Sequence, residues 1–505
     1  MTRREMLKAT AAAGVTAFVG QTRGQDSTPA SAGAAAPAAG PAPAASKPLE
    51  KFTPVVGMQI GALPLAKEDL DRLLETLRER GGINTLFVFA YGHVARWVPM
   101  AQQGFRGGNF AIPHMQYYKD THFTYEDMRA PEFADVDILE RTMKATRKHG
   151  FKTYALIEEA DKEAVVPAWQ ELYEIDSHGR KQAAQPGGPC SNNPLYRGFT
   201  QGLAEDYLRS YGVDGFMWSS ERQGGMTSAM GAWHHGGGSD PTKGTCFCEH
   251  CLKKAAALNI DAGRAKEGFA KLERFIRDGR ARQRPRDGYF VSFFRLLLAY
   301  PELLQWESLW VNSRTQFMTD LRNRVKSVNP DTPVGFHVWH NASFSPFYRA
   351  EIDFTGMAKN ADFIKPVLYN VSAGERMTSF VNSVGRTIFG DIPQPEILQM
   401  LYAMFDYKEL PFEKVGAAGF STDYIAREVQ RTLDDIGPAK VPVYAGLDID
   451  IPGAGAKYTP ESVKQSVMAA FNSGARGVIF ARNYAEMKPA NLGGVRAALD
   501  ELGLS

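Results

Sequence analysis

The sequence predicts an α/β fold, a (β/α)8 TIM barrel with long insertions after strands two and four, and three observations predict it. From Lys51 onward, short runs rich in Val, Ile, Phe and Tyr alternate with longer segments of helical period. The runs number eight. They are nearly continuously apolar, as parallel strands covered on both faces must be, so closing them into a barrel is favoured over an open doubly wound sheet.

The predicted strands are 55–62, 83–91, 151–159, 213–221, 333–340, 361–370, 441–450 and 477–484. Between them lie helical patterns at 66–79, 136–149, 197–210, 308–328, 421–436, 459–473 and 492–502. In 459–473 the residues Val463, Val467, Ala470 and Phe471 recur at three and four positions, which is one buried helical face. No G-x-G-x-x-G turn follows the first strand, which weakens a dinucleotide-binding alternative. The insertions, 92–135 and 222–307, both follow a strand's C-terminal end, the face on which barrel enzymes build their sites. The charged stretch 262–287 mixes signs at helical spacing and reads as a solvated helix face.

Ahead of the barrel, Thr2-Arg3-Arg4-Glu5-Met6-Leu7-Lys8 and the apolar run from Ala9 to Gly20 resemble a twin-arginine export signal, here taken as 1–25. That run is shorter than the roughly 20 apolar residues a spanning helix needs. Without a clean small-x-small cleavage site, an uncleaved anchor is the alternative to removal. Residues 26–48 are nearly all Ala, Pro, Gly and Ser and form a linker, leaving 49–505 as the barrel domain. The expected location is periplasmic or extracellular. A formal charge of +2 without a polybasic field argues against a nucleic-acid partner, and no long apolar run follows the signal.

Polar residues crowd the strand ends. They are Glu158 and Glu159, Glu221, His337 and His340, Lys365 and Tyr369, Asp448 and Asp450, and Arg482, Asn483 and Tyr484. So many ionisable groups converging on one rim carry a desolvation cost that a binding or catalytic role explains. Splitting a glycosidic bond needs one carboxylic acid and a second carboxylate. Glu221 is the expected acid, at a rim beside an aromatic wall and a mobile loop. Trp218 would raise its pKa by desolvation and Arg222 would lower it. Asp448 or Asp450, sharing a face through the period of two, would be the second carboxylate, with Glu158 or Glu159 as competitor. His337, His340, Lys365, Tyr369, Arg482, Asn483 and Arg222 suit substrate recognition. Trp97, Trp218, Trp233, Trp339 and Tyr91 could stack on sugar rings, although packing is the commoner use of a barrel Trp.

The stretches Cys190-Ser191-Asn192-Asn193-Pro194-Leu195-Tyr196-Arg197, Tyr211-Gly212-Val213-Asp214-Gly215-Phe216 and Cys246-Phe247-Cys248-Glu249-His250-Cys251, in that order and spacing, resemble a group of glycoside-hydrolase-like TIM barrels distantly similar to family 42 beta-galactosidases. The resemblance implies a barrel, a carbohydrate substrate and an acid/base carboxylate ending the fourth strand, which falls on Glu221. This chain departs from the wider clan in carrying Ser220-Glu221 rather than Asn-Glu, and only aspartates on strand seven.

All four cysteines fall in these stretches. Cys246, Cys248 and Cys251 with Cys190 could form a four-thiolate zinc site, with His250 as a substitute ligand, or two disulfides after export. Either would staple the insertion after strand four to the loop after strand three. Four thiolates leave no open position on the metal, so the site is structural. The expected function is an exported glycoside hydrolase. The alternatives are a carbohydrate-binding barrel without catalysis, and a metal-dependent sugar isomerase or lyase using Glu158 or Glu159, His337, His340 and Asp448 as ligands.

Overall fold

The computed structural model describes residues 52–92, 108–130, 133, 135–159, 170–182, 188–233, 241–242, 244–451, 458–481 and 484–505, all within the compact unit Leu49–Ser505. The expected signal 1–25 and linker 26–48, together with Trp97, Arg482 and Asn483, lie outside the described residues.

Eight parallel strands form the barrel: β1 (Val55–Ile60), β2 (Thr85–Gly92), β4 (Lys152–Glu158), β5 (Gly215–Ser219), β6 (Val334–Val338), β7 (Phe363–Pro366), β8 (Tyr444–Asp448) and β9 (Gly477–Ala481). The two-residue β3 (Gly108–Asn109) pairs antiparallel with β2. Hydrogen bonding runs in the order β7-β6-β5-β4-β2-β1-β9-β8. The ring closes between β7 and β8 through isolated bridges Ile364↔Val443 and Val367↔Gly446, with Leu368 N donating to Gly446 O at 2.7 Å.

Side-chain alternation divides each strand between two cores. Inside the barrel, Phe87, Leu156, Met217, Phe363 and Ile479 pack with Tyr154 and Tyr444. Gly335 on β6 stands where any Cβ would strike the Phe363 ring, so the glycine makes room for the aromatic layer. Outside, the alternate residues meet the helices. Leu70–Gly81 buries Leu70, Leu73, Leu74 and Leu77, and full burial of one such side chain is worth about 1.5–3 kcal/mol. Asp69 caps this helix by accepting from Asp71 N and Arg72 N, and Gly82, at φ 64°, ends it in the left-handed region.

All eight predicted strands are present, shortened at one or both ends except that β2 starts later and runs one residue further than expected. The insertion after β5 is largely helical, with Glu249–Ala257, Ala262–Arg280, Tyr289–Ala299 and the first turns of the 27-residue helix Glu302–Val328. Between β7 and β8 the chain forms Asn370–Val384, Gln394–Phe405 and Phe412–Ala418, which the periodicity did not single out. Among the described residues no helix is long and apolar enough to cross a membrane.

Candidate functional site

Strand parity decides which polar residues meet at the barrel mouth. On β4, Tyr154 and Leu156 face the lumen, so Glu158 does too; Glu221 lies two residues past the end of β5, and its approach to His337 rather than strand parity brings it to the mouth. By the same alternation His337 on β6, Lys365 on β7, Asp448 on β8 and Gln59 on β1 top the apolar lumen core. His337 and Lys365 are registered neighbours.

Four of these side chains, Gln59, Lys365, His337 and Glu221, form a connected set. Lys365 Nζ donates to Gln59 Oε1 at 2.7 Å and lies 3.3 Å from His337 Nδ1. An ammonium donating to Nδ1 leaves the imidazole proton on Nε2, which points toward Glu221 Oε1 at 3.5 Å. Burial pushes Lys365 down to about 7, opposed by the carboxylates of Glu221 and Glu158. Burial, then the Lys365 charge, lowers His337 to about 4, so its ring is neutral near pH 7. The Glu221 side chain keeps 38% of its surface exposed, whereas Lys365 is fully buried. Lys365 is thus a buried charge behind His337 and Glu221 rather than the substrate-contacting group expected of it.

Asp448 is 2% exposed. Its Oδ2 accepts from Ser372 N at 3.1 Å and from Tyr458 Oη at 2.8 Å, and its Oδ1 has no partner among the described residues. Burial raises its carboxyl to about 6, against those two hydrogen bonds. Asp450 does not share this environment. β8 ends at Asp448, and Asp450 accepts from Lys488 N at 3.0 Å and Asn491 Nδ2 at 3.4 Å, which ties it to the segment leading into the last helix.

Several expected site residues face the other way. Trp218 has outward parity and packs on Phe317 with ring centroids 4.9 Å apart, so it neither walls the lumen nor desolvates Glu221. Glu159, also outward, accepts from Ser220 Oγ and from Arg222 Nη1 at 2.5 Å. Arg222 Nη2 reaches Glu174 at 2.6 Å. Burial works against the Arg222 charge, but the two carboxylates outweigh it and hold the guanidinium firmly protonated, so Arg222 is not the partner of Glu221. His340 lies past the end of β6, accepting at Nδ1 from Arg376 at 2.6 Å and meeting Tyr424 Oη at 3.0 Å. Tyr369 is buried edge-on against His340. Trp339 and Tyr91 are buried in packing, and Trp233 remains partly exposed.

The backbone that carries Glu221 is tethered on both sides rather than loose. Arg314 on Glu302–Val328 donates from Nη2 to Ser220 O at 3.3 Å and from Nη1 to Arg222 O at 3.5 Å. Gln223 Oε1 accepts from Asn341 Nδ2 at 2.9 Å. The glycines Gly224 and Gly225, expected to give mobility, open a buried short helix whose Met226 and Thr227 amides are capped by Glu307 at 2.8 and 3.0 Å. Gln59 escaped the sequence reading, although a lone polar residue at an inward position of an apolar strand marks it. Arg314 and Arg376 carry no such mark, because they come from helices whose approach to the mouth depends on tertiary packing.

The four cysteines converge, their sulfurs all lying within 4.8 Å of one another. Cys190 Sγ is 3.4 Å from Cys251 Sγ and 3.5 Å from Cys248 Sγ, separations of free thiols rather than of disulfides. A tetrahedron with zinc–sulfur bonds of about 2.3 Å has sulfurs about 3.8 Å apart, so the cluster can hold such an ion. Ile175 N to Cys246, Asn192 N to Cys190 and Asn192 Nδ2 to Cys251, at 3.4, 3.4 and 3.3 Å, supply donors that suit thiolates. The cluster joins the segment after β4 to the insertion after β5, which also meet at the bridge Asp176↔Thr245. Among the described residues it is the one His, Cys, Asp or Glu group whose ligand atoms converge this way, and the mouth residues expected as isomerase or lyase ligands are not part of such a group.

No family model and no curated protein matches the chain. Solved structures similar to it include alpha-L-fucosidase isoenzyme 2 from Paenibacillus thiaminolyticus, at 14% identity and a TM-score of 0.46 over 89% of this chain and 49% of that one. The chain therefore spans about half the length of that fucosidase. The PgaB (BpsB) glycoside hydrolase domain from Bordetella bronchiseptica is similar at 12% identity and a TM-score of 0.47, over 89% and 98% of the two chains. A beta-galactosidase from the psychrophilic Marinomonas ef1 is similar at 10% identity and a TM-score of 0.49, over 89% and 61%. At this level of likeness no activity passes from one chain to another.

Proposed function

We propose that this protein is a glycoside hydrolase whose two working carboxylates are Glu221 and Asp448. The observation that carries the proposal is the lumen-facing set Gln59, Glu158, Glu221, His337, Lys365 and Asp448, in which one oxygen of a buried carboxylate has no partner among the described residues. Two carboxyl groups from different strands, held in unlike environments, are what glycosidic hydrolysis requires.

Their environments divide the roles. Burial keeps Asp448 protonated up to about pH 6, so it has a proton for the leaving oxygen. Glu221, more exposed and facing His337 Nε2 at 3.5 Å, takes the second role, attack on the anomeric carbon or activation of water. This reverses the roles expected from the sequence, because the indole that was to desolvate Glu221 points outward. The four cysteines would hold a structural zinc, which supplies cross-linking and no chemistry at the mouth. The twin-arginine segment supports export to the periplasm or beyond.

The test compares Glu221→Gln and Asp448→Asn on dinitrophenyl glycosides, whose leaving group needs no proton, and on unactivated oligosaccharides. Asp448→Asn should keep most turnover of the activated substrates and lose at least about 100-fold on the others, whereas Glu221→Gln should lose both. The opposite pattern returns the acid role to Glu221. A wild-type protein that cleaves nothing and still binds a sugar is a carbohydrate-binding barrel instead.

A further inference from the structure

Away from the mouth, the helix Ala262–Arg280 and the turn after it face the helix Asn370–Val384 and the turn leading to Gln394–Phe405. Two cavities lie between them. One, of about 870 Å3, has Arg280, Arg282, Arg284 and Arg386 in its lining and no carboxylate. The other, of about 440 Å3, shares Arg280 and Arg386 with the first and continues along Thr378, Ser379, Asn382 and Glu375. The shared residues make them one groove, arginine-rich at one end and lined by hydroxyls, an amide and the Glu375 carboxylate at the other.

Two of the charges at the basic end lack a counter-charge among the described residues. Arg284 pairs with Asp391 at 2.6 Å, but among the described residues Arg282 and Arg386 have no carboxylate partner, and both are exposed. Guanidiniums gathered round one cavity repel one another unless an anion enters it. At its other end the groove approaches the barrel. Glu375 is three residues from Ser372, whose amide holds Asp448, and it adjoins Arg376, which holds His340. From Glu375 to Arg386 the helix rise of 1.5 Å per residue covers roughly 15 Å, a path leading outward from the mouth.

We infer that this groove is a binding subsite for the acidic part of an oligosaccharide, a glycan bearing carboxylate or sulfate groups, whose neutral hydroxyls lie along Thr378, Ser379 and Asn382 and whose anions meet Arg282 and Arg386. The inference rests on the glycoside hydrolase reading for the other end of the chain, and it narrows the substrate class to acidic glycans. Hydroxyl and amide side chains between the mouth and the arginines favour a sugar over a phosphorylated peptide or RNA, whose anions recur at every unit or stand alone.

The experiment is calorimetric titration of full-length Glu221→Gln with an oligosaccharide carrying uronate units at one end only, with a neutral oligosaccharide of the same length, with inorganic pyrophosphate and with single-stranded RNA, each at low and high salt. The same titrations are run on protein also carrying Arg282→Gln and Arg386→Gln. The acidic oligosaccharide should bind tightest at low salt, weaken at least about tenfold when the two arginines are removed, and lose its salt dependence with them. Turnover of small aryl glycosides by Arg282→Gln/Arg386→Gln protein with Glu221 intact should match wild type. Equal affinity for acidic and neutral oligomers, no effect of the arginine substitutions, or binding of pyrophosphate or RNA in preference to the uronate would each overturn the subsite. Arginine-dependent uronate binding by a protein that cleaves no glycoside would instead remove the hydrolase reading and leave the subsite standing.

Discussion

Replacing Lys365 by methionine tests the electrostatic account of the mouth directly. Lys365 sits beneath Glu221 with its ammonium on Gln59 and His337, and burial takes it from 10.5 to about 7. A folded-state pKa below the unfolded one means the unfolded chain binds more protons between pH 7 and 10.5, so stability rises with pH across that window. Each unit is worth about 1.4 kcal/mol and the folded group is already half-deprotonated at pH 7, which gives about 2 kcal/mol between pH 7 and 9. For a barrel of this length the unfolding entropy is roughly 1 kcal/mol/K, so the increment appears as a Tm change of about 2 °C. Methionine removes the titrating group at nearly the same volume. Subtracting the Tm of Lys365→Met from that of wild type cancels the titrations the two proteins share. That difference should become more positive by about 2 °C between pH 7 and 9 in thermal denaturation followed by circular dichroism. A difference that stays flat, or falls with pH, would mean that Lys365 is not held near 7 by burial and that no ammonium in that state stands behind His337 and Glu221.

Arg222→Met should be among the most damaging single changes, because Glu159 and Glu174 are left buried without their counter-charge; a loss of about 3–5 kcal/mol is expected, read as a drop of several degrees in Tm. Asp450→Asn should leave turnover within about threefold of wild type, since its carboxylate is tied to Lys488 and Asn491, whereas Asp448→Asn should remove from the pH–rate profile the limb on which activity falls as pH rises through about 6. Elemental analysis should find one zinc per chain. Chelation or Cys246→Ser should lower Tm by several degrees before it affects aryl glycoside turnover, and immediate loss of turnover at unchanged Tm would put the metal in the chemistry instead.

Much of the mouth was legible in the chain because β-strand alternation is a local property. Glu158, Glu221, His337, Lys365 and Asp448 could all be found as polar residues ending apolar runs, and the tight spacing of Cys246, Cys248 and Cys251 announced a cluster. The errors came from residues one position out of phase or just past a strand's last bridge. Trp218 neighbours Ser219 in sequence yet faces the helices. Asp450 keeps the period of two, but β8 stops at Asp448 and the period no longer aims the side chain. The helices of 371–420 were missed although Asn370–Val384 supplies both the amide on Asp448 and a wall of the basic groove.

The sequence by itself determined the barrel, since eight doubly covered apolar runs separated by helices leave few other ways to bury that surface. It also determined which residue types stand at the strand ends. Only the tertiary structure decided which of those charges see one another. Arg222 belongs to Glu159 and Glu174, Lys365 to Gln59 and His337, and Asp448 to Ser372 and Tyr458, partners up to 306 positions apart. The physical reason is that the protonation and pairing of a buried charge depend on groups within a few ångströms in space, and in a closed barrel those groups come from strands and helices far apart along the chain.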